Sequence, residues 1–146
     1  MKKKLNEKQK LLKAEKKLKK DLKKRADALW HLVGIKKWGN VCFFHESGKE
    51  AKAHQRITSK CHHIKPKGKY PSLRYDFKDN PLPVCWPCHY KLEKYDSSMI
   101  IDVRNKRGKT WWNRLEKKAK IDKGGSYLTI SYYNDTIKEL EKELNK

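Results

Sequence analysis

Apolar positions are sparse at the front of the chain and cluster later. Between Lys2 and Arg25 no Pro or Gly interrupts the sequence, and Leu11, Leu18, Leu22 and Leu29 recur at spacings of seven, four and seven. That spacing predicts a helix with a thin apolar stripe and lysines around the rest. The stripe reads either as a coiled-coil seam or as one side of a solvated, lysine-rich helix or arm that orders on a polyanion. Apolar density rises at "ADALWHLVGIKKWGNVCFF", where the compact part should begin. Residues 40–96 then read as short strands and loops closed by one helix. Beyond them, "RNKRGKTWWNRLEKKAKI" predicts a helix with Trp111, Trp112, Leu115 and Ala119 inward, ended by "KGG". In "TISYYNDTIKELEKELNK", Ile130, Tyr133, Ile137, Leu140 and Leu144 alternate spacings of three and four, and Thr129 is placed to cap the helix. The reading divides the chain into a basic helix or arm (1–28), a core (29–98) and a C-terminal helical region (99–146), with α+β as the fold class.

Charge sharpens this picture. The chain has 146 residues, and its 38 Lys and Arg against 17 Asp and Glu give a formal charge of +21. Self-repulsion on this scale points to a polyanionic partner, with nucleic acid phosphate the common one. No stretch approaches the roughly 18 consecutive apolar residues of a membrane span, and no apolar signal-peptide core follows the first lysines. A cytoplasmic protein with no membrane partner is expected. In a reducing compartment its four cysteines would hold metal more readily than form disulfides.

The cysteines are spaced for that purpose. Cys85-x-x-Cys88 is half of a zinc site, and Cys42-x-x-His45, followed by Gly48, offers a second pair at the same spacing. Cys61 or His54 could replace one member; the two equally spaced pairs are preferred because each closes one local turn. Four protein ligands leave no open position, so this Zn2+ would be structural.

A second group is chemically different. His62 and His63 are consecutive, so on a strand they point to opposite sides and do different work. "HHIKP", then Asn80 in "YDFKDN", then His89 in "CWPCHYKLE" resembles, in order and spacing, the motif of the HNH endonucleases, the ββα-metal or His-Me finger nucleases. The resemblance covers about residues 40–95. It implies a small ββα-metal core with a treble-clef-like structural zinc site, flanked by N- and C-terminal helices. It further implies a metal-dependent endonuclease hydrolysing DNA phosphodiester bonds. His63 would be the general base, His62 and His89 would bind the catalytic divalent ion, and Asn80 would fix the loop and orient His63 or join the metal shell. Many members carry a second histidine one turn after the first. Glu93 stands there in this chain, and a carboxylate ligand favours Mg2+ or Mn2+ over Zn2+.

Lys65, Lys67, Lys69 and Arg74, between His63 and Asn80, are placed for phosphates near the cut. "LRYDFKDN" leading into "VCWPCH" looks like the phage recombination nucleases of the NinG/Rap type, which act on branched DNA, although "CHHI" departs from their single histidine preceded by glycine. That likeness implies duplex or branched DNA as partner, a bacterial or phage-infected host cell as setting and, for a four-way junction, a homodimer. The competing expectation is a zinc-stabilised nucleic-acid-binding protein without catalysis. Trp86, Trp111 and Trp112 read as core residues rather than as base-stacking ones.

Overall fold

Asn6 starts the longest element. Its side chain accepts from the Gln9 amide and the Gln9 side chain accepts from the Asn6 amide, a reciprocal cap that launches helix α1 (Glu7–Trp38). The computed structural model describes residues 5–45, 60–94 and 98–146. Helix α1 has 32 residues and ends at Gly39, whose φ of 94° suits a residue without Cβ. It runs unbroken through position 28, so the basic segment and the start of the core are one rod about 48 Å long.

The leucine stripe divides along that rod. Leu22 and Leu29 pack against the core beside the buried Ala26, Trp30 and Val33, whereas Leu11 and Leu18 are 70% and 49% exposed. The N-terminal half of α1 therefore presents lysines and isolated leucines to solvent.

After a 3-10 turn at Phe43–His45 come strands β1 (Cys61–His63) and β2 (Pro81–Pro83), then helices α2 (Trp86–Lys94), α3 (Ser98–Arg107), α4 (Lys109–Lys120) and α5 (Ile130–Leu144). The strands pair antiparallel, with Cys61 opposite Pro83, His62 opposite Leu82 and His63 opposite Pro81. Prolines at both ends leave Leu82 as the one N–H donor of β2, which confines it to a short two-stranded ladder. Gly34 of α1 allows the helix to lie directly on this sheet. A Cβ there would sit 2.8 Å from the Pro81 Cβ and 2.9 Å from the Cys61 Sγ.

Two apolar clusters flank the sheet. One joins Trp30, Val33, Cys61, Tyr75 and Phe77 to Tyr133, Ile137 and Leu140 of α5. Tyr133, Ile137 and Leu140 of α5 are buried as its periodicity predicts, with Thr136 buried beside them and Ile130 and Leu144 half-buried, and the Thr129 side chain accepts from the Tyr132 amide as its cap. Lys36 of α1 donates to the Leu144 carbonyl at 2.7 Å, satisfying an end carbonyl of α5. The other cluster joins Cys42, Leu82, Val84, Cys85 and Cys88 to Val103, Trp111 and Leu115. The single helix expected over "RNKRGKTWWNRLEKKAKI" is two, because Gly108 at φ 95° ends α3 and starts α4. The fold is thus helix-rich with one small antiparallel sheet. No helix among the described residues is long and apolar enough to cross a membrane.

Candidate functional site

The 3-10 turn and the start of α2 bring four side chains together. Ligand atoms of Cys42, His45, Cys85 and Cys88 all lie within 4.8 Å of one another, the one such convergence among the described residues. His45 turns Nδ1 inward, 3.7 Å from the Cys85 Sγ and 3.8 Å from the Cys88 Sγ. A tetrahedral zinc with its usual bond lengths sets sulfur and nitrogen about 3.6 Å apart, so the donor set fits. Burial pushes the Cys42 and Cys88 thiols up, and crowding by neighbouring sulfurs adds to it. A divalent cation would remove that strain by taking the thiolates as ligands. The cluster is therefore suited to a metal such as zinc, tying the turn after α1 to α2. Of the alternative ligands, Cys61 is buried elsewhere with its sulfur 3.7 Å from the His31 carbonyl, and His54 lies outside the described residues.

Across the sheet, His62 and His63 diverge as strand geometry requires. The His62 ring meets the His89 ring of α2 edge to face at 5.1 Å, while the His63 ring lies flat on the Trp30 indole of α1, centroids 3.8 Å apart and planes 6° apart. Both still line one cavity of about 1020 Å³, together with His31, Lys60, Lys67, His89 and Glu93. The His89 Nδ1 is 3.7 Å from a Glu93 carboxylate oxygen one turn along α2. Both side chains are partly exposed. His62, His89 and Glu93 thus line the same cavity, but their ligand atoms do not converge as those of the cysteine cluster do.

His63 is held in one chemical form. Its Nε2 is 2.9 Å from the Arg74 carbonyl oxygen, which can only accept, so Nε2 carries the hydrogen and Nδ1 keeps its lone pair. Burial lowers its pKa to about 3 against the help of that carbonyl, and neighbouring Lys67 and His31 lower it further. Burial likewise lowers His62 to about 4, with His89 adding to the effect. Both imidazoles are neutral at neutral pH, the form in which a histidine accepts a proton or binds a metal.

Asn80 builds the loop that supplies the Arg74 carbonyl. It is fully buried; its Oδ1 accepts from the Lys65 amide at 2.7 Å and its Nδ2 donates to the Leu73 carbonyl at 2.9 Å. The Asn80 carbonyl also accepts from the Ile64 amide at 3.1 Å. With its amide spent on backbone, Asn80 fixes the loop and stands apart from the residues lining the cavity, so the alternative of a place in a metal shell is set aside.

Two of the expected phosphate contacts are corrected. Arg74 is buried and makes a two-point pair with Asp27 of α1, Nε to Oδ1 at 3.0 Å and Nη2 to Oδ2 at 2.8 Å, while the Tyr75 hydroxyl donates to the same carboxylate at 2.8 Å. Lys65 pairs with Glu116 and lies over the Trp112 ring at 4.9 Å. Both are occupied inside the fold. Lys67 and Lys69 remain exposed, and Lys67 lines the cavity. Trp111 is buried as expected, but Trp86 is 75% exposed and stacks on Tyr90, the opposite of a core position.

Sequence reading missed the contribution of α1. Asp27 holds Arg74, Trp30 stacks on His63, and the Nδ1 of His31 accepts from the Cys61 amide at 2.8 Å. The one signal available was the rise in apolar density around Trp30, which marks a core and not a site. Comparison with protein-family models, with curated proteins and with solved structures found no match to this chain.

Proposed function

We propose that the chain is a metal-dependent endonuclease of the HNH type, hydrolysing DNA phosphodiester bonds. The observation that carries the reading is His63: a neutral imidazole fixed by a flat stack and a carbonyl, its Nδ1 lone pair unprotonated, in the same cavity as His62, His89 and Glu93. The order β1, β2, α2 with Asn80 bracing the intervening loop supports a ββα-metal core around it.

In this reading His63 Nδ1 takes the proton of the attacking water, and the Trp30 stack and Arg74 carbonyl keep the ring from rotating away. A phosphodiester anion beside the ring raises its basicity at the moment of need, because the charge that forms on His63 is then paired. His62, His89 and Glu93, drawn together, would hold a divalent ion, Mg2+ or Mn2+, which when bound would supply Lewis acidity for the charge gathering on the phosphorus oxygens and the leaving oxygen. The exposed lysines of α1 and of the loop at Lys67 and Lys69 hold the backbone through charge. The Cys42, His45, Cys85 and Cys88 cluster, loaded with zinc, keeps α2 and its two ligands in place.

The test is cleavage of end-labelled linear duplex and four-way junction in Mg2+ and in Mn2+, with His63→Ala as control. Cutting by the wild type that is lost in His63→Ala is expected. Confinement to the junction would identify a recombination nuclease acting on branched DNA, most simply as a homodimer. Binding with no cutting under either ion would replace the nuclease by a zinc-stabilised nucleic-acid-binding protein.

A further inference from the structure

His31 is the one histidine of the cavity that the proposed chemistry leaves unused. It projects from α1 beside Trp30, its ring 6.4 Å from that of His63. Its Nδ1 is committed, since the Cys61 amide donates to it at 2.8 Å. A neutral imidazole that accepts at Nδ1 must carry its hydrogen on Nε2, so it has no lone pair to offer a metal. It has instead one N–H to donate. Burial, as the largest cause, lowers its pKa to about 4, with Asp27 opposing and the nearby Lys60 and Lys67 assisting, so at neutral pH the donor carries no charge.

The cavity lining carries two kinds of group. His62, His89 and Glu93 bring lone pairs and a carboxylate; His31, Lys60, Lys67 and Lys94 bring donors. Asp27, whose charge favours a proton on His31, is already paired with Arg74 and Tyr75.

We propose that His31, with Lys60 and Lys67, forms an anion subsite in this cavity, in which the His31 Nε2–H donates to a non-bridging oxygen of a substrate phosphodiester. The identity of the anion rests on the nuclease reading above. A fixed neutral donor accompanied by two ammonium groups fits that ligand, because the lysines supply charge from many directions and the imidazole supplies one direction. The subsite would hold the phosphate beside His63, whose ring is 6.4 Å from that of His31.

The experiment uses the full-length protein with its zinc in place, as wild type, His31→Ala and His31→Gln. Each is titrated with a single-stranded oligonucleotide without added divalent ion, and cleavage is followed separately in Mn2+. The oligonucleotide series replaces each phosphodiester in turn by an uncharged methylphosphonate. Loss of one hydrogen bond to a charged oxygen should weaken binding of His31→Ala on the order of tenfold. At the linkage His31 contacts, methylphosphonate should weaken the wild type but cost His31→Ala markedly less, a non-additivity that a merely structural role would not produce. His31→Gln, which can still accept from the Cys61 amide and donate onward, should recover part of the affinity and keeps the test valid if His31→Ala melts early. Equal affinity of wild type and both variants, additive losses at every linkage, or no binding by the wild type would overturn the subsite. A wild type that shows the non-additivity yet never cuts would leave the subsite standing and remove the nuclease.

Discussion

The Trp30 indole and the His63 imidazole lie parallel, centroids 3.8 Å apart, although 33 residues separate them in the chain. Trp30 is itself pinned, its Nε1–H donating to the Asp76 carbonyl at 3.2 Å. His63 is thus oriented by a helix that the motif around it does not include. Trp30→Phe should keep an aromatic face but lose that hydrogen bond and leave a gap, costing about 1–3 kcal/mol of stability. With His63 freer to rotate, kcat should fall while the KM for DNA stays close to that of the wild type. Denaturant unfolding and steady-state cleavage check the two effects, and a change confined to KM would contradict an orienting role.

Asp27 acts on the same histidine through Arg74. The carboxylate holds the guanidinium of the residue whose carbonyl takes the His63 N–H. Asp27→Ala would strand a buried arginine, and a loss on the order of 3 kcal/mol is expected in chemical denaturation. Lys69→Gln, at an exposed lysine of the same loop, should leave stability within about 0.5 kcal/mol and weaken DNA binding slightly. The reverse pattern would return Arg74 to the phosphate-binding role.

At Gly34 the usual sign of a helix substitution should invert. Alanine inside a helix is worth about 1 kcal/mol more than glycine. Here its Cβ would meet the Pro81 Cβ at 2.8 Å and the Cys61 Sγ at 2.9 Å; the first is fixed by the proline ring and the second is buried, with little room to turn away. Overpacking of this kind costs about 1–3 kcal/mol, so Gly34→Ala should be net destabilising. A rise in melting temperature would mean that α1 does not rest on the sheet as closely as the geometry has it.

Removal of the metal should loosen the opposite side of the sheet. Cys88→Ser deprives the four-ligand cluster of one buried thiolate, and a strong chelator should reproduce its effect, each lowering the melting temperature by several degrees or more. Metal analysis should find zinc bound to the wild type and reduced in the variant. Identical melting with and without zinc would argue that the cluster is a set of buried thiols.

These relationships show which features the sequence exposes. Cys42, His45, Cys85 and Cys88 are legible because each pair closes a local turn, and α5 is legible because a single face carries its whole burial pattern. Gly108 lies inside the segment whose pattern predicts one helix, and pattern alone does not reveal the positive φ that separates α3 from α4. Asp27, Trp30 and His31 were not legible as parts of a site. Their partners Arg74, His63 and Cys61 lie 30 to 47 residues away, and no periodicity encodes which side chain of α1 will face which strand residue. Trp86 misled for the opposite reason: composition favours burying a tryptophan, but the first turn of α2 turns this one outward.

Acid should reveal the buried histidines. His31 and His63 have pKa values lowered to about 4 and about 3, mainly by burial, whereas an unfolded chain titrates them near 6.5. Between those values the unfolded state binds more protons, so stability is greatest above about pH 6.5 and falls as the pH drops toward 4. Around His63 burial dominates, the Arg74 carbonyl opposes it, and the charges of Lys67 and Arg74 and the nearby His31 disfavour a proton; around His31, Lys60, Lys67 and His89 outnumber the opposing Asp27. Each histidine can contribute a slope approaching about 1.4 kcal/mol per pH unit within the window. Protons also compete with zinc at the cysteines, so the quantity to measure is a difference: unfolding free energy against pH for the wild type and for His63→Gln. The zinc contribution is common to both and cancels. The variant should show a shallower acid slope between pH 6 and 4.5, and parallel curves would mean that His63 is not held neutral by the fold.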